Sequence, residues 1–153
     1  MRTLRDKSYL NEGLHGEIIP KTREQFFVLR NILQELYKSL KGDTNYLAAV
    51  GIRTALDRAF YLKVGDKGNF ADALVSMESE NHITLAQKAS CDVLIDAGNA
   101  SAHRGWAPDD DTLISLLELM EGIVFSLFIE DTKEELIRLK NKIPQRPKKK
   151  KRK

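Results

Sequence analysis

Asp43–Gly65, DTNYLAAVGIRTALDRAFYLKVG, is the stretch whose reading decides the fold. Asp43 or Thr44 caps a helix here, and Val64-Gly65 ends it. Tyr46, Leu47, Val50, Leu56, Ala59, Phe60 and Leu62 place apolar side chains on more than one face. A helix covered on several faces sits in the middle of a helical bundle. Arg53 and Asp57 lie inside it, four apart. They form either a plain intrahelical pair, worth about 0.2–0.5 kcal/mol, or a polar site in which Arg53 points to the same cleft as the Gly98–His103 corner. An Arg on a largely apolar helix is costly to bury unless it is satisfied.

The flanking segments also carry a helical period. Thr22-Arg23-Glu24-Gln25 has the form of a capping box. Phe26, Leu29, Leu33, Leu36, Tyr37 and Leu40 follow at helical spacing up to Lys41-Gly42. A shorter helix runs from Asn69 to about Ser79, with Phe70, Leu74 and Met77 on one side. Thr84-Leu85-Ala86-Gln87 is a second capping box, opening a helix that Gly98-Asn99 is expected to stop near Ala97. Pro108 and the run Asp109-Asp110-Asp111 start another helix, three carboxylates suiting its positive end. Leu113, Leu116, Leu117, Met120, Val124, Leu127 and Phe128 form its wide apolar face. Leu136, Ile137 and Leu139 extend that pattern, and Pro144 and Pro147 end it. No strand alternation of useful length and no internal repeat is found. The class is all-α, a bundle of four to five helices. The expected organisation is an irregular segment over residues 1–20, a helical domain over 21–143 and a disordered tail over 144–153.

The 153 residues suit one domain with a core of its own. Cys91, the only cysteine, makes no internal disulfide and no Cys-rich zinc site; it reads as a small apolar residue. His15 and His82 lack metal-type spacing, and Asp109–Asp111 is followed by no oxygen-ligand pattern. No metal and no cofactor is expected. No apolar run is long enough to span a membrane, and MRTLRDKSYLNEG has no apolar core of a secretory signal. A cytoplasmic, reducing location is expected. The net charge of +3 hides an asymmetry: the last ten residues, PQRPKKKKRK, hold seven of the 25 basic residues, leaving 18 against 22 acidic ones elsewhere. The body is acidic and the arm basic. Lys148, Lys149, Lys150, Lys151, Arg152 and Lys153 either attract phosphate, act as an import-like address, or form a solvated tail without a role.

The second informative stretch is Gly98–Trp106, GNASAHRGW. A histidine works near neutral pH as general acid or base. Its usual companions in phosphodiester cleavage are groups that hold a phosphate oxygen. Asn99 and His103 are four apart, Arg104 adds a cation, and Ala100, Ser101 and Ala102 let another backbone approach. A helix stop followed by a structural His and a core or staple Trp106 accounts for the same residues.

Tyr46–Phe60, YLAAVGIRTALDRAF, and Leu94–His103, LIDAGNASAH, together resemble the bacterial domain-of-unknown-function family four-one-four-five, a branch of the all-α HEPN superfamily. Arg53, Leu56 and Asp57 match its Arg-helix element, with Asp where Glu is usual. Gly98, Asn99, Ala102 and His103 match its Gly-Asn-x-x-Ala-His motif. The resemblance covers roughly residues 20–130. It implies a helical bundle that often dimerises, and a superfamily in which many members are metal-independent ribonucleases of defence systems. Those enzymes carry an Arg separated from the His by four to six intervening residues. The corresponding positions here are Asp96, Ala97 and Gly98, none of them basic.

The leading expectation is therefore a HEPN-like domain that associates with RNA or other nucleic acid in a defence or stress setting, as a homodimer. Arg104, Asp57 and the basic arm are its candidate binding residues. The alternatives are a ribonuclease using His103, Asn99 and Arg53, and a non-catalytic dimerisation or protein-interaction module.

Overall fold

The computed structural model describes residues 24–128 and 133–144. The expected capping box at Thr22, the irregular segment 1–20 and the basic arm Lys148–Lys153 lie outside them. A 3-10 turn, Glu24–Phe26, leads into α1, Phe27–Lys41. It is followed by α2, Asn45–Val64; α3, Phe70–Ser79; α4, Leu85–Arg104; α5, Asp110–Phe128; and α6, Lys133–Lys142. No strand occurs among the described residues.

As expected, Asn45–Val64 is central: α2 packs against α1, α3, α4 and α5. The means differ from the expected ones. Tyr46 and Leu47 are exposed, and the buried surface is Ala48, Ala49, Ile52, Ala55, Leu56, Ala59 and Phe60. Four alanines are there because helices crossing on several sides leave room for little more than a methyl group. Phe60 stacks on Phe70 with centroids 5.0 Å apart, fixing α3 against α2. Thr44 occupies the N-cap position, but its hydroxyl donates to the Ser39 carbonyl at 2.8 Å instead of accepting from the helix.

Helix α5 supplies the widest core face, from Leu113 to Phe128. Asp109 caps it, its carboxylate accepting from the Thr112 N–H at 2.8 Å. Those Thr112 bonds hold the Asp109 carboxyl below the usual range. Asn45 ties the start of α2 to the start of α5, donating to the Pro108 carbonyl at 3.0 Å and to Asp110 at 2.8 Å. Phe26 meets Phe128 edge-on at 5.2 Å, and the Tyr37 hydroxyl donates to Glu121 at 2.9 Å. Leu136, Ile137 and Leu139 do not continue the core: all three are exposed on α6.

Helix α4 opens with the expected box, Thr84 and Gln87 bonding each other's backbone N–H. It does not stop at Gly98-Asn99. It runs one and a half turns further to Arg104, and Gly105, at φ 65°, ends it in the left-handed region. The N–H groups of Gly105 and Trp106 both close on the Ala100 carbonyl. Gly98 is a helical residue selected for space, not for an αL turn.

Candidate functional site

The reason for that space is Arg53. A Cβ at Gly98 would stand 2.4 Å from Arg53 Cβ, 2.7 Å from its Cδ and 3.0 Å from its Cγ. Helices α2 and α4 cross with the Arg53 stem lying flat on the bare Gly98 backbone. The two distant stretches of the sequence therefore meet at one contact, which a side chain at position 98 would break.

Arg53 also lines a cleft of about 430 Å³, walled by α2, the loop between α2 and α3, the start of α3 and Ile32 of α1. Asp57 lines it too. Arg53 and Asp57 form no ion pair with each other, so the simple intrahelical pairing is not made. Two residues missed in the sequence complete the wall. Arg58 lies over the Tyr61 ring, its guanidinium 4.5 Å from the centroid. Lys67 comes from the loop. The Nε atoms of Arg53 and Arg58 are both buried without a hydrogen-bond partner. A buried polar group left unpaired costs about 1–3 kcal/mol, so two in one cleft are conspicuous. The signal lay in the spacing: Arg53, Asp57, Arg58 and Tyr61 occupy neighbouring turns, ahead of the glycine-flanked loop Gly65-Asp66-Lys67-Gly68.

Asn99, His103 and Arg104 are not part of that cleft wall. Asn99 is half-buried one turn before His103, and His103 and Arg104 are exposed on the last turn of α4. Trp106 is 38% exposed, so of the core and staple roles expected the core one is not taken. The αL residue Gly105 turns the chain so that Trp106 stands beside the helix end. His103, Arg104 and Trp106 thus form an exposed cationic and aromatic corner. The Arg104 cation there also faces the negative end of the helix dipole. Ser101, on the inner side of the same turn, is fully buried, and its hydroxyl has no hydrogen-bond partner. No group of His, Cys, Asp and Glu among the described residues is arranged to hold a metal ion. No helix among them is long and apolar enough to cross a membrane.

The family model described as a domain of unknown function, DUF4145, matches residues 34–150. No curated protein and no solved structure matches the chain.

Proposed function

The chain belongs to the DUF4145 family, and we propose that it is a HEPN-like module that associates with single-stranded RNA in the bacterial cytoplasm, in a defence or stress setting. The observation that carries this reading is the exposed corner His103, Arg104 and Trp106 at the end of α4. Unpaired bases stack on aromatic rings and on guanidinium planes, and a nearby cation draws the backbone phosphate. The basic arm Lys148–Lys153 supplies further charge for the same strand. Asp57 stands apart from this corner, in the α2 cleft. Binding of a fluorescent oligonucleotide tests the proposal. Arg104→Gln and removal of residues 148–153 should each weaken it and flatten its salt dependence. Equal affinity in both variants and in the parent contradicts it.

The spacing of Asn99 and His103 on one face of α4 favours a second reading, a metal-independent ribonuclease. His103 then acts as acid and base, Asn99 holds a phosphate oxygen, and Arg53 would have to reach them from across Gly98. RNA cleavage in EDTA that His103→Ala abolishes supports it; an unchanged RNA ladder counts against it. Dimerisation is proposed with either reading, and solution mass measures it.

A further inference from the structure

We propose that the cleft between α2 and the α2–α3 loop is a binding site for a phosphorylated sugar, with the phosphate held by Arg53, Arg58 and Lys67 and a ligand hydroxyl held by Asp57. The site lies apart from the α4 corner and does not depend on the RNA reading.

Both guanidiniums are fixed without being neutralised. The Arg53 stem lies against Gly98. Arg58 is held by the face of Tyr61, which orients a guanidinium and leaves its edge donors free. Neither Nε has a partner, although both are buried. Buried polar groups in folded proteins are almost always paired. Two guanidiniums five residues apart on one helix line one cleft, and no carboxylate among the described residues pairs with either. The forked donor geometry of Arg suits the oxygens of a phosphate.

The loop reinforces the same chemistry. Gly65 and Gly68 hold positive φ values of 75° and 80°, and Asp66 accepts from the Gly68 N–H at 2.8 Å. The Asp66 carboxylate is thereby committed to the turn, while Lys67 stays at the rim. Helix α3 begins at the wall, where the Asn69 cap and the Asp72 carboxylate already meet its N-terminus, so the anion contacts fall to the three cations.

Asp57 decides the class of ligand. It is exposed, lines the cleft and pairs with neither arginine. A carboxylate accepts hydrogen bonds and donates none. It repels bare phosphate but accepts from a hydroxyl carried on the same molecule. A sugar phosphate offers both groups. The volume, about 430 Å³, suits a small ligand and not a duplex.

Calorimetry on the full chain with ribose 5-phosphate, ribose and inorganic phosphate tests the site. Ribose 5-phosphate should bind about tenfold or more tightly than inorganic phosphate, and ribose should not bind, as expected when charge-assisted bonds and a hydroxyl contact act together. Arg58→Gln should weaken ribose 5-phosphate about tenfold, and Asp57→Asn should narrow its advantage over inorganic phosphate. Arg104→Gln should leave it unchanged while lowering RNA association, which separates failure here from failure of the RNA reading. Should Arg58→Gln unfold the domain, Lys67→Gln on the exposed loop replaces it, with a loss of about threefold expected. No heat with ribose 5-phosphate, or equal affinity in the folded variants, overturns the proposal. Competition then tells the source. Displacement by a 5′-phosphorylated oligonucleotide alone supports a strand end, and displacement by no oligonucleotide supports a free sugar phosphate. Equal displacement by a 5′-hydroxyl strand overturns the monoester assignment.

Discussion

Gly98 shows how much one missing side chain can decide. Its sequence context, a glycine followed by asparagine, has the chemistry of a helix stop. The same residue serves instead where another element lies too close for a Cβ, and only the crossing of α2 over α4 separates the two uses. Gly98→Ala should destabilise the domain by about 1–3 kcal/mol in urea unfolding, because Arg53 Cβ cannot swing away as a side-chain tip could. An unchanged unfolding midpoint would mean the helices part at no cost. Cys91 behaves as its sequence suggested, fully buried among apolar neighbours. Burial first, and then the Asp92 charge, push its thiol up to about 12 from 9.0. The folded state therefore keeps the proton that the unfolded chain gives up. The contribution to stability is complete below pH 9.0 and is lost as pH climbs toward about 12. Tyr37, raised by burial and Glu121, adds loss of the same sign as pH climbs above its ordinary value of 10.0. Unfolding midpoints should fall across that alkaline window, and a disulfide reagent should leave the native thiol untouched at pH 8.

At the level of elements, the signals that could be read were local ones. The Thr84–Gln87 box is chemistry within four residues, and both of its reciprocal bonds form. Thr84→Ala should cost about 1 kcal/mol, read as a lower thermal midpoint. No change would show that the packing of α4 on α2 outweighs its cap. The acidic start of α5 was legible for the same reason. Elements whose limits depend on a neighbour were not. Helix α4 passes through Gly98 because α2 needs that gap, and α2 buries alanines where the period alone favoured Tyr46 and Leu47. Helix α6 repeats the apolar spacing of α5, yet Leu136, Ile137 and Leu139 face outward. Periodicity records which residues share a face and says nothing of what covers it.

For the whole molecule, the all-α class followed from the helical period and the absence of strand alternation, and the central place of Asn45–Val64 followed from its many-sided apolar pattern. The expectation that Arg53 meets the Gly98–His103 corner is met at Gly98 alone, 45 residues away; Asn99, His103 and Arg104 do not line the cleft. Arg58 and Lys67 escaped notice because a cation is ordinary on a helix or loop until its surroundings show it unpaired. The outcome is a bundle with two distinct polar features: the Arg53–Arg58 cleft, and the His103–Arg104–Trp106 corner proposed to meet RNA. Trp106 is the only tryptophan, so its emission reports on that corner alone. The most direct test is a titration of single-stranded RNA followed by Trp106 fluorescence. A saturable quench that weakens between about 50 and 200 mM salt is the predicted result. Emission that stays flat throughout the titration would contradict the proposed role of the corner.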